Sequence, residues 1–333
     1  MSLPTQFENR LKLPLVVAPM FLASGTQLVT ECCKAGVIGT FPALNQRSSE
    51  GFEEWLVEIK AELARVEQET GQKPAPYGVN LIVHKSNPRL AADLELCVKH
   101  EVPLIITSLG ADSKVVEAIH SYGGLVFHDV VMARHAKKAA SAGVDGLIAV
   151  AAGAGGHAGT WSPFALVNEI RQFFDKTILL AGCMSSGSDI AAAQMMGADL
   201  AYMGTRFINT QECMVQEEYK QQITETTAGD IVYTPAISGV NANFIRQSIE
   251  ANGLDLKTME APKSIDFGAE LDEASKDEKT AQPKPWKDIW SAGHGVGSIE
   301  DVPSAAELVN QLQTQYQAAH EQQQQKIALL TKA

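Results

Sequence analysis

A histidine set among four glycines is the first arrangement in this chain that could do chemistry. Residues 153–159 read Gly-Ala-Gly-Gly-His-Ala-Gly, placing His157 among Gly153, Gly155, Gly156 and Gly159. Glycines at this density permit positive φ angles and let backbone approach a ligand closely. The one titratable side chain of such a loop is presented rather than packed. With an ordinary pKa of about 6.5, an imidazole can reach both protonation states at neutral pH, so it can bind an anion or act as a general base. Two further turns carry small residues, Ala181-Gly182-Cys183 and Met203-Gly204-Thr205. Their backbone N–H groups and the Thr205 hydroxyl suit a phosphate, which predicts a phosphate-bearing cofactor or substrate.

Other candidates are less specific. His128 stands beside Asp129, and either could face a ligand or, for the histidine, the core. Trp290 to Gly297 forms a second glycine-rich loop, carrying His294. There is no H-x-x-x-H pair, so no metal site is expected, and no G-x-S-x-G elbow for a serine hydrolase. His84, His100, His120 and His135 read as surface residues, and Arg206 and Arg246 as members of ordinary ion pairs.

These residues must be positioned by the elements around them. Leu147 to Ala152 lacks alternating polar residues and reads as a strand buried on both faces. Ser162-Pro163 then starts a helix, with serine at the cap and proline at its first position. The same strand–helix beat recurs from the start of the chain, with strands expected at 13–20, 37–44, 77–83, 103–108, 125–130, 147–152, 177–181 and 200–203. Eight such beats predict a parallel (β/α)8 barrel. The competing open doubly wound sheet would carry a G-x-G-x-x-G turn after its first strand, and residues 18–26 do not have one. Met20, Asn80, His128, His157, Gly182 and Gly204 then fall at strand C-terminal ends, where barrel enzymes build their active sites. After the eighth strand the beat fails. Residues 211–260 read as helical, 261–287 as a polar excursion, and 302–330 as a closing helix.

Composition bounds the class. The chain has 333 residues, a formal charge of −12 and 45% hydrophobic residues. That is ordinary for a globular enzyme, and with no basic stripe it argues against a nucleic-acid partner. No apolar run reaches the roughly 18 residues needed to cross a bilayer, so no membrane association is expected. The first ten residues lack the regions of a secretory signal. Five cysteines, odd in number and without a C-x-x-C pair, suit a reducing cytoplasm.

Together, residues 153–159, Ala-Gly-Cys-Met at 181–184, Met-Gly-Thr-Arg-Phe at 203–207 and Trp-Ser-Ala-Gly at 290–293 resemble the nitronate monooxygenase family, formerly called 2-nitropropane dioxygenase. That family includes FMN-dependent NAD(P)H:quinone reductases and FMN-type enoyl-acyl-carrier-protein reductases. The likeness runs from about residue 11 to 320. It implies a TIM barrel holding non-covalent FMN, formed by residues 1–210 and 288–333, with a small helical, substrate-side insertion at 211–287. It places Ala18, Pro19 and Met20 against the flavin ring, with Asn80 hydrogen-bonding nearby and His128 in the cofactor set. Gly155, Gly156, Gly182, Cys183, Gly204 and Thr205 would hold the ribityl phosphate, and His157 would be the catalytic residue. The chain departs from relatives in its first loop, Pro-Met-Phe-Leu-Ala, and at Cys183, which replaces the second glycine of the usual pair. It departs again at Asp129, where some quinone-reductase relatives have lysine. The implied reaction is oxidation of alkyl nitronates, such as propionate 3-nitronate, by O2 to carbonyl and nitrite. The alternative is NAD(P)H-dependent reduction of a quinone or an enoyl thioester on the same flavin. A flavin-binding protein without turnover is a third reading. The partners are then small molecules and O2, with homodimerisation left open.

Overall fold

Short apolar runs flanked by glycine, proline and capping residues become strands buried on both faces. In the computed structural model, which describes residues 3–255, 258–262 and 283–331, every residue of Gly146–Val150 (β6) and Thr177–Ala181 (β8) is buried. The other barrel strands are Leu15–Val17 (β1), Thr40–Pro42 (β2), Gly78–Ile82 (β3), Leu104–Ser108 (β4), Leu125–Val130 (β5) and Leu200–Met203 (β9). All neighbours pair in parallel, in the order β1-β9-β8-β6-β5-β4-β3-β2. A parallel bridge from Val16 to Ile38 joins the two ends and completes the barrel. The eight-stranded fold expected from the strand–helix beat is therefore present. β1 and β2 are shorter than the apolar runs at 13–20 and 37–44. Pro14, Pro19 and Pro42 bound them, and proline has no N–H to give to a ladder.

Helices follow the strands in turn: Thr26–Ala35 (α1), Ser49–Thr70 (α2), Leu90–Lys99 (α3), Ser113–His120 (α4), Ala133–Ser141 (α5), Pro163–Arg171 (α6) and Gly187–Met195 (α7). The start of α6 has Ser162 at the cap and Pro163 in its first turn, though the serine hydroxyl makes no capping bond. Alternation along the strands separates two apolar layers. Val16, Ile38, Ile106, Phe127, Ile148, Leu179 and Leu200 fill the barrel interior. Ile105, Val126, Leu147 and Ile178 face outward against Phe52, Ile119, Leu166 and Ile170 of the helices. This phase decides where polar residues at the strand ends point. Asn80, Ser108 and Asp129 are in register with the interior set, whereas Thr107 and His128 are in register with the helix-facing set.

Beyond β9 come a single-turn helix, Thr205–Ile208 (α8), then Glu217–Glu225 (α9) and Arg246–Ala251 (α10). The region read as helical, with a break at 226–229 and a turn at Ser238-Gly239, also holds an antiparallel hairpin around that turn, Ile231–Thr234 (β10) with Ala242–Ile245 (β11). β11 pairs in turn with Gly156–His157 (β7), so the insertion adds a strand directly to the histidine loop. The β-branched and aromatic run Ile-Val-Tyr-Thr is what favours strand over helix there. Ala305–Leu330 (α11) closes the chain, started by a capping box between Ser304 and Glu307. Leu308, Val309 and Leu312 bury its first turns. Most of the excursion expected at 261–287 lies outside the described residues.

Candidate active site

A cavity of about 790 Å³ opens at the C-terminal ends of the barrel strands. His157 and all the residues expected to contact a cofactor line it, from Ala18, Pro19 and Met20 through Asn80 and His128 to Gly155, Gly156, Gly182, Cys183, Gly204 and Thr205. Its volume falls in the usual range for ligand sites, roughly 300–1,000 Å³.

The loop after β1 is clamped from behind. Asn45 Nδ2 donates to the Met20 carbonyl at 3.0 Å, and the Met20 N–H donates to Ser24 Oγ at 3.0 Å. The loop after β6 is held even more fully. The Gly156 N–H donates to Ser291 Oγ at 2.7 Å, and Asn243 Nδ2 donates to the Ala154 carbonyl at 2.7 Å. Gly155 passes so near its neighbours that a Cβ would sit 2.9 Å from Thr205 Oγ1 and 3.0 Å from the Gly293 nitrogen. Glycine is therefore required by space. On this loop the His157 ring meets Trp286 edge-on, and burial pushes its pKa down to about 4. At neutral pH it is uncharged, with one N–H donor and one acceptor nitrogen.

The loops after β8 and β9 approach from the other side. Gly182 has φ +128° and Cys183 φ +58°, a left-handed pair that carries the chain around the cavity edge. Gly204 caps α8, whose first N–H groups, on Thr205 and Arg206, have no carbonyl partner within the helix by position. Thr205 Oγ1 accepts from the Gly293 N–H at 2.9 Å, which leaves the hydroxyl proton free to donate. Arg206 is buried and paired with Asp301 at 2.5 Å, the ion pair expected of it. Gly182, Cys183, Gly204 and Thr205 all line the cavity.

At the ends of β3, β4 and β5 lies a polar chain. Asn80 Nδ2 donates to Ser108 Oγ at 2.8 Å, and Ser108 Oγ donates to Asp129 Oδ2 at 2.5 Å. Asp129 Oδ1 is buried without a partner, and burial pushes the carboxyl pKa up to about 6. His128 takes the opposite side of β5 and shares a 2.7 Å hydrogen bond with Thr107 Oγ1. Burial first, then the nearby His135 and Lys138, push its pKa down to about 4. Of the two neighbours, Asp129 is the one in phase with the barrel interior.

Several cavity residues were not singled out from sequence. Ser108 could have been found by continuing the alternation of β4 by one step. His135, expected on the surface, lines the cavity instead, because α5 turns that face inward beside His128. Tyr233 arrives from the hairpin and Trp286 from the last residues of the expected excursion, where no periodic signal points to a barrel mouth. His294 is exposed, and its N–H donates to the Gly153 carbonyl at 2.9 Å. Among the described residues no cluster of three or more His, Cys, Asp or Glu side chains could hold a metal. No helix among them is long and apolar enough to cross a membrane.

The closed parallel barrel and the glycine-bordered cavity at its strand ends define a (β/α)8 enzyme. Within that class, residues 40–315 match the nitronate monooxygenase family, and the chain belongs to it. The protein is accordingly a flavin-dependent oxidoreductase. It is 27% identical to a nitronate monooxygenase of Paraburkholderia phytofirmans, over 94% of each chain. Among solved structures it is similar to FabK from Thermotoga maritima, with TM-score 0.76 and 21% identity over 95% of this chain and 96% of that one. It is similar also to a nitroalkane oxidase from Streptomyces ansochromogenes, with TM-score 0.76 and 22% identity over 95% and 99%. At those identities the two structures speak for the fold.

Proposed function

We propose that the protein binds FMN without a covalent link and oxidises alkyl nitronates with O2, giving carbonyl and nitrite. The observation that supports this reading is an uncharged His157 held over a glycine-bordered cavity of about 790 Å³.

The residues fit the cofactor. A Cβ on Gly156 would meet nothing within 4 Å, and one on Gly204 would stand 3.5 Å from Met20 Sδ and 3.6 Å from the Ala18 Cβ. Gly156 thus borders open space that a ligand can fill, while Gly204 packs in ordinary contact with the Ala18 and Met20 side chains of the same cavity wall. Ala18, Pro19 and Met20 offer an apolar wall for a flat ring, and the Asn80 amide a polar contact at its edge. The Thr205 hydroxyl, the first N–H groups of α8 and the Gly182-Cys183 turn offer neutral donors for the phosphate. Bound there, FMN would accept electrons from the nitronate and pass them to O2.

His157 has a distinct task. A neutral imidazole donates a hydrogen bond from its N–H to a nitronate oxygen and so orients the anion. Its depressed pKa makes it a poor proton acceptor, which favours nitronate over neutral nitroalkane as substrate. Trp286 and Tyr233, which line the cavity, support a substrate-side role for the 211–287 insertion, in which their apolar faces exclude water. Five free thiols, four of them buried, suit a cytoplasmic protein.

Anaerobic stopped-flow absorbance of the yellow protein tests the reading, mixing it separately with propionate 3-nitronate and with NADH or NADPH. Bleaching by the nitronate alone is expected. Fast bleaching by a nicotinamide alone would replace the proposal with an NAD(P)H-dependent reductase of quinones or enoyl thioesters. A protein that takes up no FMN would remove both.

A further inference from the structure

The polar chain at the ends of β3, β4 and β5 does not reach any cation. Asp129 is its last member. Its Oδ2 accepts from Ser108, whose hydroxyl is itself fixed by the Asn80 amide. Its Oδ1 is buried, lacks any hydrogen-bond partner, and belongs to a residue lining the cavity. Alternation along β5 turns Asp129 to the barrel interior, at the cavity assigned to the flavin. Among the described residues, no lysine, arginine or histidine nitrogen is in ion-pair contact with it. Lys138 and His135 line the same cavity from α5 and act on His128, and neither is in ion-pair contact with Asp129. Tyr202 of β9 is another titratable group nearby, and burial first, then the closeness of the carboxylate, raises its pKa and holds its phenol protonated. His157 faces the cavity from the loop after β6, and it is uncharged.

An unpartnered buried carboxylate oxygen costs free energy, whereas a protonated carboxyl placed against an acceptor does not. A ring bound beside Asp129 excludes the remaining water and disfavours the ionised form further. We infer that Asp129 is a proton-linked group of the flavin site, protonated when the ring is bound and donating from Oδ1 to an acceptor atom of the ring. This rests on the flavin reading above.

Without ligand the carboxyl already titrates near neutrality, at about 6. If binding raises it further, FMN binding must take up a proton above that pH. Affinity then falls about tenfold per pH unit between the free-state and bound-state values. Ser108 limits the effect in the free protein, because its hydroxyl favours the ionised form.

Isothermal titration of flavin-free protein with FMN, in two buffers of different ionisation enthalpy at pH 7, measures the protons taken up. The FMN phosphate contributes equally to wild type and Asp129→Asn, so their difference isolates Asp129. Riboflavin, which lacks the phosphate, gives an independent check. Wild type is expected to take up close to one proton more than D129N, and for riboflavin only wild type should lose affinity as pH rises from 6 to 8. Equal proton uptake by the two proteins would overturn the inference while leaving the flavin site intact. Absence of FMN binding at every pH would remove the flavin reading and the inference with it. Should D129N not fold, Ser108→Ala keeps the carboxyl and loses the hydroxyl. Its onset of proton uptake should move to higher pH, and a profile coincident with wild type would overturn the inference.

Discussion

The imidazole of His157 meets the indole of Trp286 edge-on, with ring centroids 5.3 Å apart and planes inclined at 81°. Trp286 in turn contacts Phe21 at 6.3 Å and Phe244 at 5.8 Å. An aromatic cluster drawn from the first barrel loop, the hairpin and the end of the insertion therefore walls one side of the histidine. Burial is the cause of its lowered pKa. Trp286→Ala should let water reach the ring and return the pKa toward the ordinary value of about 6.5. A titration of the His157 ring by nuclear magnetic resonance reads this directly. A pKa still near 4 would assign the desolvation to the other walls of the cavity.

Three groups at the site, each shifted by loss of solvent, give stability a definite pH signature. His128 and His157 are both pushed down to about 4, so the unfolded chain takes up their protons first as pH falls. Their contribution is full above about 6.5 and is lost on the way down to 4, by about 1.4 kcal/mol per pH unit each. Asp129 works in the opposite sense. Its pKa is raised from 3.8 to about 6, so its contribution is full below the unfolded value and is lost as pH rises toward 6. Between pH 4 and 6 the carboxyl cancels one histidine. Urea unfolding across that range should give a steeper acid loss in D129N than in wild type, and a shallower one in His128→Gln. Parallel curves for the three proteins would contradict the assignment.

Cys183 holds a left-handed backbone, φ +58°, that costs a residue with a side chain roughly 1 kcal/mol or more relative to glycine. Its thiol makes only a 3.5 Å contact to the Ala152 carbonyl and is exposed. Cys183→Gly should therefore raise the thermal midpoint by about 2 °C, with the fold unchanged. A scanning calorimetry trace shifted downward would mean that the thiol contact outweighs the strain.

The barrel was legible because each strand–helix beat is local: apolar runs such as Leu147 to Ala151 and punctuating residues such as Gly143 and Gly197 lie side by side in the chain. The site was legible where a strand end coincided with glycines, as at Gly182 and Gly204. What escaped depends on phase or on distance. Whether His128 or Asp129 faces the interior follows from which of Val126 and Phe127 points inward, and both are equally apolar. The hairpin at 231–245 is short, and its partner strand, Gly156–His157, is two residues long and glycine-rich, so no periodicity announces the pairing. Trp286 reaches His157 across 129 positions of sequence, a contact created by the insertion rather than by any local rule.

That insertion also fixes the histidine loop, through a relay of side chains that can be cut one at a time. Ser291 Oγ donates to the Asn243 carbonyl at 2.6 Å and accepts from the Gly156 N–H at 2.7 Å. Asn243 then reaches past it to the Ala154 carbonyl at 2.7 Å. Both residues are buried, so truncation strands a backbone group that water does not easily rescue. Ser291→Ala removes the hydroxyl that accepts from the Gly156 N–H and Asn243→Ala removes the donor to the Ala154 carbonyl, each at a cost of about 1–3 kcal/mol. Because both bonds hold the same five-residue loop, the double variant should lose less than the sum of the singles, and the cycle should show a coupling of at least about 0.5 kcal/mol. The catalytic consequence is separable. A loop displaced by an ångström should lower nitronate turnover about a hundredfold, while the phosphate turns at Gly182 and Thr205 go on holding flavin. Urea unfolding, flavin absorbance and steady-state kinetics on the four proteins measure the three effects independently. Additive stability losses with normal turnover would mean that the β7–β11 pairing alone positions His157, and that the Ser291 relay serves only the packing beneath it.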